Sequence, residues 1–132
     1  MLKFPIPIKY LFIAYLAAVI IVSLIPLGGT STAMNEHQVL SIRLDYLLHA
    51  SVFLPLVPLW RLARPEHPWS LIILTGLLLA AVTEGSQYFI PYRAYNINEL
   101  LGNIAGVLLG VLVALTIKLF IRKPSAKQNL QQ

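Results

Sequence analysis

The sequence contains no cysteine, which excludes disulfides, thiolate metal ligands and cysteine nucleophiles. It is also poor in charge: 11% of its 132 residues are Asp, Glu, Lys or Arg, under half of the roughly 25% found in an average soluble domain. Acids are scarcest, five against ten basic residues. No His-Glu-x-x-His or comparable zinc signature is present. Strand-like alternation over a membrane-crossing length is missing too, which removes a β-barrel. What remains in quantity is hydrophobic, 58% of the chain. A soluble core built from so short a chain cannot hide that much apolar surface, so the implied solvent is lipid.

Four apolar stretches carry this surplus, at 10–26, 44–60, 70–90 and 100–121. A helical span needs roughly 17–25 residues, and all four reach that length, the first two only just. The reading is an all-α, polytopic four-helix bundle over 1–123, followed by a polar, Gln-rich, disordered tail over 124–132. The first stretch resembles a signal peptide in its preceding Lys3 and Lys9. It is long for one, however, and Ile25-Pro26-Leu27 is a poor cleavage context, so it is read as a retained helix. Pro55 and Pro58 fall inside the second stretch and predict a bend, because each removes a backbone donor. The segment 27–43 reads as a loop, with a short helical turn around 35–42.

Basic residues set the orientation. Lys3, Lys9, Arg61, Arg64, Lys118, Arg122, Lys123 and Lys127 fall on one side of the four stretches, and only Arg43 and Arg93 on the other. The positive-inside rule then predicts both termini in the cytoplasm. The same distribution argues against nucleic acid as a partner, since the basic groups flank apolar runs instead of forming one patch.

On that topology the rare polar residues converge. Asp45 and His49 are one turn apart at the outer start of the second helix. Glu84, six residues and about 9 Å from the outer end of the third helix at 1.5 Å per residue, is followed on the same face by Gln87 and Tyr88. Glu99 opens the fourth helix and Asn103 lies one turn in. The spacing predicts an outer layer of Asp45, Gln87 and Glu99 over a deeper layer of His49, Glu84 and Asn103, with Arg93 and Asn96 in the loop above. Charged groups inside a span are costly and so face the interior and pair. Arg93 is the expected cation for Glu84 or Glu99, and His49 is expected to donate to Asp45 or Glu84. Gly102, Gly106 and Gly110 recur every four residues, on the side of the fourth helix that carries the polar groups. They predict an internal packing seam, favoured over a dimer face.

The string Asp45-x-x-x-His49, Glu84-x-x-Gln87, Pro91-x-Arg93, Asn96, Glu99, Asn103 and Gly106 resembles the VanZ-like family, small bacterial membrane proteins named for a teicoplanin-resistance factor. The likeness runs from about Leu44 to Gly110. The chain departs from the family pattern at Tyr46, where Lys is usual, at Tyr92, where Gly is common, at Asn96, where an acid is common, and at Glu99, where Asp is usual. The resemblance implies a role at the cell envelope.

Three classes of function are open to such a cluster. A binding or sensing module would receive a lipid headgroup, a wall precursor or a lipophilic glycopeptide, with Arg93 gripping an anionic group. An intramembrane hydrolase or transferase would use Glu84 as base and His49 as acid or shuttle. A proton-coupled transporter is disfavoured, because 54–59, 71–81 and 107–115 offer only Thr75 along a path across. The binding module is the preferred reading, with a purely structural polar lock kept beside the enzyme as an alternative. No cofactor and no metal are expected. His37, Glu66 and His67 are read as solvated loop residues.

Overall fold

A computed structural model describes residues 7–24, 38–39, 42–90 and 95–121. Arg93 and the tail 124–132 lie outside the described residues. Among the described residues the structure is helical apart from one ribbon of two two-residue strands. Helix α1 spans Ile8–Leu24, α2 Leu44–Phe53, α3 Leu56–Ala63, α4 Trp69–Ser86 and α5 Ile97–Ile121, with a 3-10 turn at Gln87–Phe89 continuing α4. The helical turn expected around 35–42 is replaced, where the chain is described, by an antiparallel pairing of Gln38–Val39 with Ile42–Arg43. The pairing leads directly into α2, so Asp45 enters the helix from a tied strand end.

Three segments are long and apolar enough to cross a membrane: Leu44–Ala63, Trp69–Phe89 and Ile97–Phe120. At 1.5 Å per residue, 20 residues give about 30 Å, the thickness of a bilayer hydrocarbon core. Helix α1 has 17 residues, hence about 25 Å, and is the short member. Its one buried stripe, Phe12, Tyr15, Leu16 and Val19, follows the i, i+3, i+4, i+7 pattern and joins the core, packing on α3 and α4. Phe12 meets Trp60 with ring centroids 5.4 Å apart. Tyr15 Oη–H donates to the Val52 carbonyl at 2.5 Å, tying α1 to α2.

The predicted bend falls between α2 and α3. Pro55 has no N–H and stands as the N-cap of α3. Pro58 cannot donate to the Leu54 carbonyl, its usual i−4 partner. That carbonyl instead faces α5, where a Cβ on Gly110 would lie 2.5 Å from it. Gly102 stands in the same way against the Tyr46 carbonyl, at 2.8 Å, and Gly106 against the Ala50 carbonyl and Phe53 Cβ. The Gly102–Gly106–Gly110 side of α5 thus lies inside the molecule at backbone distance from α2 and the bend. Glycine is required there by space, and α2 and α5 form the most extensive helix pair.

Burial runs opposite to that of a soluble domain. Leu78 is 63% exposed and Leu74 65%, while Glu84 is 0% exposed and Asn103 1%. Apolar side chains outside and carboxylate and amide inside is the arrangement lipid demands.

Candidate functional site

Three helices bring the polar groups to one end of the bundle. Asp45 and His49 come from the first two turns of α2, Glu84 from the last turn of α4 with Gln87 just after it, and Glu99 and Asn103 from the first two turns of α5. Asp45, Glu84, Gln87 and Asn103 are buried, and His49 and Glu99 are half-buried.

The start of α5 organises the site. Asn96 is its N-cap: Oδ1 accepts the Asn98 N–H at 3.0 Å, satisfying one orphan donor of the first turn. Its Nδ2 donates to Glu99 Oε1 at 2.9 Å, a side-chain variant of the capping box. Its own backbone N–H donates across to Glu84 Oε1 at 3.1 Å. One asparagine therefore caps α5, orients Glu99 and holds the carboxylate of α4. The pattern Asn-x-x-Glu is a helix-start signature, and it moves the helix start from the expected 100 to Ile97.

His49 bridges α2 to α5. Its Nδ1 is 2.9 Å from Asn103 Oδ1, and its Nε2 is 3.1 Å from Glu99 Oε2. These partners replace the expected Asp45 or Glu84. The reason lies in the glycine contact. A Cβ on Gly102 would stand 3.3 Å from His49 Cβ, so α5 passes close enough for its polar groups to take both ring nitrogens. The two expected layers are thereby joined, since Glu99 reaches from the outer set to His49 in the inner one. Asp45 accepts the Tyr46 N–H at 3.0 Å, beside the helix start. The expected partner Arg93 lies outside the described residues.

The site can be approached from one side. The His49 and Glu99 side chains keep 20% and 17% exposure, over the fully buried Glu84. One ligand atom each from His49, Glu84 and Glu99 lie within 4.8 Å of one another. A divalent cation takes His nitrogen and carboxylate oxygen at about 2.0–2.2 Å, so these side chains would need to draw inward to share one ion. The arrangement can also pass a proton between His49 Nε2 and Glu99 Oε2, and can offer acceptors to a hydroxyl or ammonium group.

Some of the polar structure escaped the sequence reading. Thr83 is buried next to Glu84 and satisfies itself by donating to the Leu79 and Ala80 carbonyls at 2.9 and 3.1 Å. At the other end of the bundle, His67 is half-buried and accepts Trp60 Nε1–H at Nδ1, 3.0 Å away, so it is an organised part of the α3–α4 connection. Tryptophan seven residues before a histidine, across Pro65 and with Pro68 following, is the signal available for that contact.

Comparison with known proteins gives one family. No curated protein and no solved structure matches the chain. A family model described as VanZ/LLP1 matches residues 9–120. That match takes in α1 and all three helices of the polar cluster, and it covers most of the chain. With three helices able to span a membrane and an inverted distribution of burial, this is a membrane-type protein that belongs to the VanZ/LLP1 family.

Proposed function

We propose that the protein resides in the bacterial inner membrane with both termini in the cytoplasm, and that its polar cluster opens on the outer leaflet. There it binds or senses a lipid headgroup, a wall precursor or the polar part of a lipophilic glycopeptide. The observation that carries this reading is the partly exposed His49–Glu99 pair lying over buried Glu84, Asn103 and Gln87. Buried ionisable groups in a span mark function by default, and the 20% and 17% exposure of the His49 and Glu99 side chains supports a ligand-accessible edge over a closed lock. The described groups are richer in acceptors than in donors. They favour a ligand part bearing hydroxyls or an ammonium, and Arg93 is the residue expected to contact an anionic part.

The test is mass spectrometry of molecules co-purified with the unaltered protein, Glu99→Gln and Arg93→Ala, with unfolding temperature in detergent measured alongside. The binding reading expects an enriched envelope lipid or precursor that is depleted in both variants while the fold persists. No enrichment in the unaltered protein, with both variants lowering the unfolding temperature, would leave a structural lock as the answer.

One observation favours a second reading, an intramembrane hydrolase or transferase. His49, Glu84 and Glu99 can approach one ion, and a metal-bound water beside a buried carboxylate is a route to phosphoester or acyl cleavage. The expectation of no metal rested on the lack of a linear signature, whereas this set is assembled from three helices. Elemental analysis of protein purified without chelator decides the point: a stoichiometric transition metal lost in His49→Ala supports the enzyme.

A further inference from the structure

The opposite end of the bundle carries a second polar feature, unrelated to the cluster. A cleft of about 270 Å³ opens between α3 and α5, lined by Pro58, Arg61, Leu62, Trp69, Ala114 and Lys118, among others. Arg61 and Lys118 both lie over the Trp69 ring, with their charged ends 4.7 and 5.9 Å from its centroid. Two cations from different helices thus converge on one indole.

Little nearby neutralises them. Glu66 is the only acid between Tyr46 and Thr83, and none follows Glu99. Glu66 is turned to Arg64, at 3.6 Å, and to His67, at 3.9 Å. Among the described residues, no carboxylate forms an ion pair with Arg61 or Lys118. Arg61 is held in place by donating Nη1–H to the His67 carbonyl at 2.7 Å, which leaves other guanidinium donors available. His67 is itself fixed by Trp60. The cleft below the cations is apolar, walled by Pro58, Leu62 and Ala114. Polar donors at the rim, an interfacial tryptophan and an apolar wall continuing toward the bilayer are the complement of a phosphate on an acyl chain.

We propose that this cleft is a binding site for an anionic phospholipid of the leaflet at the basic end of the bundle. Arg61 and Lys118 grip the phosphodiester and the second anionic or hydroxyl-bearing group. Trp69 packs on the glycerol, and Pro58, Leu62 and Ala114 line the first carbons of an acyl chain. Arg61 supplies paired donors to the phosphate oxygens, and Lys118 acts as a point charge. The proposal is independent of the reading of the polar cluster, which lies at the other end of α5.

The test uses the full chain in detergent micelles with phosphatidylglycerol and phosphatidylcholine of the same acyl composition. Native mass spectrometry reads the ratio of the two bound lipids. A preference for phosphatidylglycerol of at least fivefold is expected in the unaltered protein. It should fall to near parity in the Arg61→Gln/Lys118→Gln double variant and by an intermediate amount in Lys118→Gln alone. Quenching of tryptophan fluorescence by brominated lipid, with Trp69→Phe identifying the share due to Trp69, places the contact and should follow the same order. No preference in the unaltered protein overturns the proposal. So does a preference that survives the double variant and disappears when residues 122–132 are removed, because the basic tail would then be the binding element. Loss of the preference on adding inorganic phosphate at the lipid concentration would assign the site to free phosphate and overturn the lipid.

Discussion

His49 on α2 and Glu99 on α5 stand 3.1 Å apart, Nε2 to Oε2, and each is anchored by a second partner: His49 by Asn103 and Glu99 by Asn96. The pair is therefore fixed at both ends before any ligand arrives. Interhelical polar contacts in membranes contribute about 0.6 kcal/mol on average and up to about 1.7. A double-mutant cycle of His49→Ala and Glu99→Gln is expected to return a coupling energy near the upper part of that range. Reversible unfolding in mixed micelles measures it, and a coupling of zero would mean the two side chains act separately.

Asn96 does three things with one side chain and one N–H. Asn96→Ala removes the cap of α5 and the support of Glu99, and is expected to cost about 1–2 kcal/mol, the range for a lost N-cap. Asn96→Asp keeps the cap acceptor but sets a carboxylate against Glu99 Oε1. It should therefore restore slow exchange at the Asn98 amide without restoring stability. Hydrogen exchange and thermal unfolding on the three proteins separate these effects.

The close approach of α5 to α2 predicts a sharp contrast between glycines. A methyl at Gly106 would collide with the Ala50 carbonyl and Phe53 Cβ, whereas one at Gly85 meets nothing within 4 Å. Gly106→Ala is expected to destabilise by about 1–3 kcal/mol, as overpacking does. Gly85→Ala should be neutral, or favourable by up to about 1 kcal/mol through helix propensity. Expression level and unfolding temperature in detergent report both.

Tyr15 holds α1 to α2 through the Val52 carbonyl, about one turn along α2 from His49. Tyr15→Phe should cost about 0.5–1.5 kcal/mol, the worth of one hydrogen bond, and leave co-purified molecules unchanged. A change in those molecules would show that α1 contributes to the site.

The absence of cysteine makes orientation directly measurable. Single cysteines placed at Asn35 and at Ser125 have no background thiol. With both termini cytoplasmic, a membrane-impermeant maleimide added to intact cells labels the first and spares the second. Labelling at 125 alone would reverse the assignment.

Much of this architecture was legible in the sequence because two of its signals are strong. Long apolar runs locate the helices, and polar residues are so rare that their spacing places them at one end. What stayed hidden depends on rotation and on short-range chemistry. His49 could have turned to Asp45 or Glu84; its choice of Glu99 and Asn103 follows from how closely α5 packs, and helical spacing does not encode that distance. The apolar run alone starts the helix at 100, whereas the cap signature Asn96-x-x-Glu99 places the start of α5 at Ile97. The ribbon at Gln38–Val39 and Ile42–Arg43 is too short to leave a period. Pro55 and Pro58 announced a bend, but not that the Leu54 carbonyl would be turned against Gly110.

The fully buried Leu56, Val57, Ile72 and Val107 have an electrical consequence. Gly76 brings two of them together, since its Cβ position is 3.1 Å from Leu56 and 3.2 Å from Val107. Such a layer is a dry insulator between the two ends of the bundle, and the transmembrane voltage falls mainly across it. His49, Glu84 and Glu99 then sit close to the potential of the compartment they open on. A membrane potential would then act weakly on charge at these three side chains, and none of the four apolar residues offers a polar group for a proton to cross on.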